Sequence, residues 1–352
     1  MQNIKIIIWG LGAMGAGMAD LLLSKKGVEI AGVADNAENI GKSMYEFLSV
    51  ERNGRPEIII KNYDEVITEK AADVVLLCTG TCIENEYRKI LYILSKKINV
   101  LTCAEEMVYP FAHNKEYADA IDKAARENGV SVLGTGVNPG FIMDYLAVLL
   151  TGCCYQVDTI SVKRSGSLSP FGPTVLEARG IGETEEAFER GIKEGTLLGH
   201  TGFRESMNMI ADAAGWELAS ITHSVEPVIT RVERRAPYGR AKPGTVAGCT
   251  SKAQGYSDGK LKISFEYTGQ INPEQTTVKT GDAITIRGTP NISFTNTPEL
   301  PGGIATIALC VNMIPHIINA TPGLRTMTEL PVPHVMAGDM RDYVRENARV
   351  VQ

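Results

Sequence analysis

Lys5-Ile6-Ile7-Ile8-Trp9-Gly10-Leu11-Gly12-Ala13-Met14-Gly15 is the stretch that decides the fold. After its lysine the run to Trp9 is wholly apolar and stops at Gly10, the pattern of a parallel strand buried on both faces. Met14, Met18, Leu21 and Leu22 then recur at helical spacing, so the order is strand, glycine turn, helix. Val28 to Ala34 reads as a second strand ending at Asp35, an acidic residue about 20 positions beyond the glycines. This is the context a dinucleotide-binding turn requires. Gly10 permits the tight turn, Gly12 lets the backbone approach a pyrophosphate, and Gly15 lets helix and strand pack closely. The amides of Ala13, Met14 and Gly15 open the helix and face the phosphates. Asp35 would accept from the adenosine ribose hydroxyls and repel a 2′-phosphate, which favours NAD, while Lys42 leaves NADP open.

The alternation continues outward. Strands are expected at Glu57 to Ile60, Val74 to Thr79, Asn99 to Thr102 and Val130 to Leu133, with helices near Tyr63 to Lys70, Glu84 to Lys96 and Lys115 to Asn128. Parallel strands need crossover helices, so this is an α/β chain whose N-terminal domain, residues 1–145, is a doubly wound Rossmann sheet. Residues 146–352 change character. Longer β-prone runs appear at Val157 to Lys163, Leu218 to Arg231, Gly244 to Tyr256, Leu261 to Tyr267 and Ala283 to Arg287, with helices near Glu183 to Glu194 and Arg204 to Ala214. That describes a second, α+β domain. The apolar helix Gly302 to Asn319 is expected to pack back on the first domain.

Composition agrees with two globular domains: 352 residues, 44% hydrophobic and 22% charged. The net charge of −6, without a basic run, argues against nucleic acid or a membrane surface as partner and leaves a small molecule. The seven cysteines form no C-x-x-C pair, so the expectation is reduced, buried thiols without zinc or a disulfide framework. Ile6 to Leu23 is apolar but contains Gly10, Gly12, Gly15, Gly17 and Asp20 and lacks a cleavage site, so it reads as folded structure in a cytoplasmic protein.

Ligands of an open α/β sheet bind beyond the carboxyl ends of its strands. Besides the glycine turn, those ends carry Thr79-Gly80-Thr81, Cys103-Ala104-Glu105-Glu106 and Gly134-Thr135-Gly136-Val137-Asn138-Pro139-Gly140-Phe141. Glu105 or Glu106 is the candidate general base, since oxidation of an amine requires loss of an ammonium proton before hydride leaves carbon. Asn138 would bind a nicotinamide carboxamide or the substrate, and Pro139 and Phe141 would line the same place. For a substrate carboxylate, Arg164 is the preferred clamp and Arg179 the second. Arg231, Arg234 and Arg235 read as a solvated cluster. None of the five histidines has metal-ligand spacing, though His200 and His223 are candidates for the substrate pocket. No G-x-S-x-G elbow supports hydrolase chemistry.

On Ile8 to Gly15, Thr102 to Glu106, Gly134 to Phe141, Pro301-Gly302-Gly303 and Ala320 to Leu324, the chain resembles the 2,4-diaminopentanoate dehydrogenase family over its whole length. The resemblance implies NAD- or NADP-dependent oxidative deamination of that diamino acid to 2-amino-4-oxopentanoate and ammonia in ornithine degradation, or, in reverse, amination of a ketone. It places the key glutamate at Glu105, with Glu106 as the alternative, and implies a homodimer built through the second domain. The His-His and Lys-x-Asp-x-Pro-Ser-Gly-Thr segment of dihydrodipicolinate reductases is missing, and no lysine stands at the Glu105 position as in homoserine dehydrogenases. Two other readings stay open on residues alone: an imine or carbonyl reductase on the same fold, and a non-catalytic NAD-sensing protein.

Overall fold

The structure is a computed structural model that describes residues 2–112 and 114–348. By internal contacts the chain divides into two units, residues 1–136 with 304–352, and residues 137–303.

In the first unit the elements run β1 (Ile4–Trp9), α1 (Ala13–Leu23), β2 (Val28–Ala34), α2 (Tyr63–Val66), β3 (Val74–Leu77), α3 (Ile83–Ser95), β4 (Asn99–Thr102), α4 (Lys115–Asn128) and β5 (Ser131–Gly134). Every residue of β3, β4 and β5 is buried, the mark of strands covered on both faces. Helices α3 and α4 lay Ile90, Ile93, Leu94, Ile121 and Ala125 on Val75, Leu77, Val100 and Val132.

The second unit contains α5 (Tyr145–Thr151), β6 (Gln156–Ser167), α6 (Pro173–Ala178), α7 (Glu185–Glu194), α8 (Phe203–Ala214), β7 (Ser220–Ile229), β8 (Arg234–Ala236), β9 (Gly239–Ala241), β10 (Val246–Ser257), β11 (Lys260–Gln270), β12 (Gly281–Thr289) and β13 (Ile292–Asn296). Its main sheet has the order β13-β12-β6-β11-β10-β7. All neighbours are antiparallel except β6 and β11, which pair parallel.

The chain then enters α9 (Gly302–Ile318) and β14 (Gly323–Arg325), which complete the first unit. Its sheet has the order β14-β5-β4-β3-β1-β2, all parallel. The sixth strand is therefore β14 and not Glu57 to Ile60. That segment makes only isolated bridges, Ser43 with Ile59 and Ala34 with Lys61, and leaves Ile59 exposed. The helix expected to Lys70 stops at Val66, because Ile67 turns away from helical angles and Lys70 adopts a positive φ of 54°. By length and composition α9 with Asn319 is apolar enough to cross a membrane. Its second half, including Cys310, Val311, Met313, Ile314, Ile317 and Ile318, is buried as in a core helix. A Cβ on Gly17 of α1 would lie 2.2 Å from Ile307 Cδ1, so the glycine lets α9 lie close on α1.

Candidate active site

The glycine turn has the shape its spacing predicts. Gly10 has φ 96°, and a Cβ there would sit 2.7 Å from the Cys78 carbonyl oxygen. A Cβ on Gly15 would sit 1.9 Å from the Gly10 oxygen, whereas one on Gly12 meets nothing within 4 Å. Only Gly12 faces open space, so the backbone there is accessible to a pyrophosphate. No side chain caps α1, so the first-turn amides of Ala13, Met14 and Gly15 keep their donors for a phosphate. Asp35 closes the end of β2. Its Oδ2 accepts from Leu11 N at 3.2 Å and Asn39 Nδ2 at 3.1 Å, and its Oδ1 from Asn36 N at 2.8 Å. Lys42 reaches Asn39 Oδ1 at 3.0 Å. These residues fit a dinucleotide.

After β3, the Thr79-Gly80-Thr81 loop rests on a buried ion pair. Glu86, with no exposed side-chain surface, accepts from Thr79 Oγ1 at 2.5 Å and from Lys89 Nζ at 2.8 Å, and Lys89 also donates to Thr79 Oγ1 at 2.8 Å. The Thr79 hydroxyl is thereby occupied within the protein, and it is the loop backbone that remains for a ligand. Glu86 was missed in the sequence because Glu86 and Lys89 look like an ordinary i,i+3 surface pair.

The two glutamates after β4 separate by their contacts. Glu106 Oε2 accepts from Ile83 N at 2.9 Å, and Glu106 N donates to Thr81 O at 3.2 Å. Glu106 thus caps the start of α3, whose own N-cap residue, Cys82, makes no side-chain cap. Glu105, half-buried like Glu106, stands at the carboxyl end of β4.

In the second unit a cis peptide joins Asn138 to Pro139, and Asn138 Oδ1 is buried without a hydrogen-bond partner. Phe141 lies near Tyr145, with ring centroids 6.3 Å apart. Asp144 builds this loop. It is fully buried and accepts from Gly140 N at 2.7 Å, Tyr145 N at 2.7 Å and Ser206 Oγ at 2.6 Å. Burial pushes its carboxyl up despite those donors. An aspartate directly before the apolar run Tyr145 to Leu150 is an N-cap signal that the sequence reading passed over. Pro139 lies under Gly202, where a Cβ would come within 2.6 Å of its ring, and this seats the loop beside the turn carrying His200.

His200 is 7% exposed and its Nε2 has no partner. Burial, then the charges of Arg179 and Arg164, holds its imidazole well below the ordinary histidine range, so the ring is neutral. Its ring lies 4.7 Å from Tyr267 and 4.9 Å from Phe203. Arg179 is half-buried nearby, donating to Leu198 O at 3.3 Å and to the Cys249 thiol. Arg164 is differently placed from the expected clamp. It is 5% exposed, its Nη1 is paired with Asp282, and its Nη2 donates to Leu300 O at 2.5 Å. Asp282 in turn accepts from Leu300 N at 2.9 Å and Asn296 Nδ2 at 3.2 Å. Arg164 therefore ties β6 to β12 and to the Leu300 turn, with its fork already occupied.

The basic cluster needs a similar correction. Arg231 and Arg235 are exposed, but Arg234 is 3% exposed and donates to Thr230 Oγ1, Gln270 Oε1 and Ile271 O. Of the cysteines only Cys249 and Cys310 are fully buried, Cys82 and Cys153 are exposed, and none is in a disulfide. Among the described residues no His, Cys, Asp or Glu group could hold a metal ion. His113 lies outside the described residues.

Known proteins share this architecture. The solved amine dehydrogenase from Mycobacterium smegmatis superposes with a TM-score of 0.84 at 24% identity, covering 96% of this chain and 98% of that one. An amine dehydrogenase from Streptomyces virginiae is 23% identical over 94% of this chain and 96% of its own length. A 2,4-diaminopentanoate dehydrogenase from Acetoanaerobium sticklandii is 57% identical over 100% of both chains. Residues 141–346 match the family described as 2,4-diaminopentanoate dehydrogenase C-terminal domain. With the glycine turn and both units accounted for, the chain belongs to the 2,4-diaminopentanoate dehydrogenase family.

Proposed function

We propose that the protein oxidatively deaminates 2,4-diaminopentanoate at carbon 4, with NAD as the favoured cofactor. The observation that carries this reading is the placing of Glu105, half-buried at the carboxyl end of β4, next to Glu106, whose carboxylate caps α3. A bound NAD would supply the acceptor for the hydride that leaves the substrate carbon. Glu105 takes the ammonium proton beforehand and passes it to solvent, then removes a proton from the water that attacks the substrate iminium and gives it to the carbinolamine nitrogen; the C–N bond breaks, ammonia leaves, and the hydroxyl proton goes to solvent as the ketone forms. The open backbone at Gly12, the α1 amides and Asp35 hold the dinucleotide, with the Asp35 charge opposing a 2′-phosphate. Asn138 Oδ1, a buried acceptor lacking a donor, suits the nicotinamide carboxamide or a substrate ammonium. Arg179 with His200 is the better carboxylate site than Arg164, whose donors serve Asp282 and Leu300. The resemblance also supports a homodimer through the second unit and a cytoplasmic location; light scattering tests the first.

The test is NAD reduction followed at the nicotinamide absorbance with 2,4-diaminopentanoate, with ammonia assayed in parallel. Matched NADH and ammonia yields are expected, as is loss of turnover in Glu105→Ala with NADH binding kept. A reverse reaction indifferent to ammonia would point instead to an imine or carbonyl reductase. Tight cofactor binding without turnover on any amine or ketone would point to a sensor.

A further inference from the structure

Sulfur gathers in the first unit beside the proposed catalytic carboxylate. The β3 and β4 register sets Leu77 opposite Thr102, so the next residues, Cys78 and Cys103, leave neighbouring strands side by side. The Cys78 thiol donates to the Cys103 sulfur. Met18 Sδ of α1 lies 3.7 Å from Cys78 Sγ, and Cys310 of α9 stands close by with its Sγ 3.8 Å from Thr135 O. Cys78 and Cys103 are half-buried as residues, while Cys310 is fully buried. Cys78 directly precedes Thr79 and backs Gly10 with its carbonyl, and Cys103 stands two residues before Glu105. The deamination chemistry uses neither thiol.

We propose that Cys78 and Cys103 form an oxidative modification site at which a hydroperoxide joins the two sulfurs as a disulfide and loosens the cofactor. The hydrogen bond from Cys78 pulls the Cys103 thiol below the ordinary cysteine range and pushes Cys78 up, which makes Cys103 the attacking sulfur. Its thiolate attacks a peroxide oxygen, the O–O bond breaks, and with a proton the products are Cys103 sulfenic acid and one water. Cys78 sulfur then attacks the sulfenic sulfur, the S–O bond breaks, and its thiol proton leaves in a second water. Two thiols are oxidised and one hydrogen peroxide is reduced to two waters. Neighbouring strands lie about 4.8 Å apart. A disulfide's Cα atoms lie about 4.4–6.8 Å apart, a range that includes the strand spacing, so the bond forms by rotation of the two side chains to a sulfur separation of about 2.05 Å and locks the Thr79-Gly80-Thr81 and Ala104-Glu105 segments, which follow the two cysteines, to each other.

The experiment exposes reduced full-length protein to hydrogen peroxide, quenches in acid, alkylates, and maps the peptides by mass. The expected product is a Cys78 to Cys103 link, two hydrogens lighter, which dithiothreitol reverses. C78S should stop at a Cys103 sulfenic acid that dimedone traps, and C103S should give neither. By fluorescence titration the linked protein should bind NADH at least about tenfold more weakly and recover on reduction. A link from Cys103 to Cys310, oxidation confined to exposed Cys82 and Cys153, or linked protein with unchanged NADH affinity would overturn the proposal. Mass and NADH binding need no turnover, so failure here is distinct from failure of the deamination reading.

Discussion

Replacing Asp282 by asparagine removes the carboxylate hydrogen-bonded to Arg164, a residue that is 5% exposed. The pair has 4% and 2% of its side-chain surface exposed, and Asp282 also holds Leu300 N and Asn296 Nδ2. Breaking a buried pair from one side leaves an uncompensated charge and costs about 3–5 kcal/mol. With a urea slope of roughly 2–3 kcal/mol per molar, D282N should unfold the second unit about 1–2.5 M earlier. The chain's two tryptophans make the assay local: in a Trp9→Phe background, Trp216, on which Lys262 lies 5.0 Å from the ring centre, reports the second unit. The double variant R164M/D282L keeps the volume without either charge and should recover most of the loss. If Arg164 is scaffold, its KM for the diamino acid should stay within about threefold of wild type, as a lost charged hydrogen bond to substrate would cost tenfold or more. A D282N midpoint within about 0.3 M of wild type, or a stable double variant with a tenfold higher KM, would refute the scaffold role and return Arg164 to the substrate.

E105Q should lower kcat by about 10²- to 10⁴-fold with NADH affinity unchanged. E106Q should instead cost about 1 kcal/mol of stability through the α3 cap with kcat within a few fold, and swapped phenotypes would reverse the assignment. His200, depressed by burial, stays neutral in the native state while the unfolded chain takes a proton near pH 6.5, so the unfolded state binds more protons. Stability should therefore fall as pH drops below about 6.5, with a limiting slope of about 1.4 kcal/mol per pH unit that H200N lacks; parallel curves for the two proteins would contradict this. D35S should raise the KM for NAD and lower that for NADP, each by about tenfold, and unchanged steady-state preference would show that Asp35 does not read the ribose.

What the sequence disclosed was local or periodic. The glycine turn, Asp35 and the crossover helices lie within short windows, and the long strands β6, β7, β10 and β11 carry enough β-prone residues to be seen one at a time. Strand β14 is three residues long, too short for any period, and is a strand only because β5 offers it an edge. The misplacement at Glu57 to Ile60 has the same origin, since an apolar run does not say whether a partner strand is available. Arg164 was recognisable as important, but its partner stands 118 residues away, and no pattern along the chain couples them. Glu86, Arg234 and His200 are ordinary surface types by composition and acquire their character from burial, which only tertiary packing confers.

The split sheet also has a consequence for how the chain is made. Ser131 on β5 bonds to Thr321, 190 residues later, and β14 must pair beside it before the sheet has its sixth strand. On a ribosome adding about 5–20 residues per second, β5 leaves the exit tunnel about 10–40 s ahead of its neighbour. Throughout that interval the nascent sheet has an open edge strand whose residues are all buried in the finished fold, a template for pairing with other chains. The whole second unit is synthesised in the meantime, so it can fold before the unit that precedes it is closed.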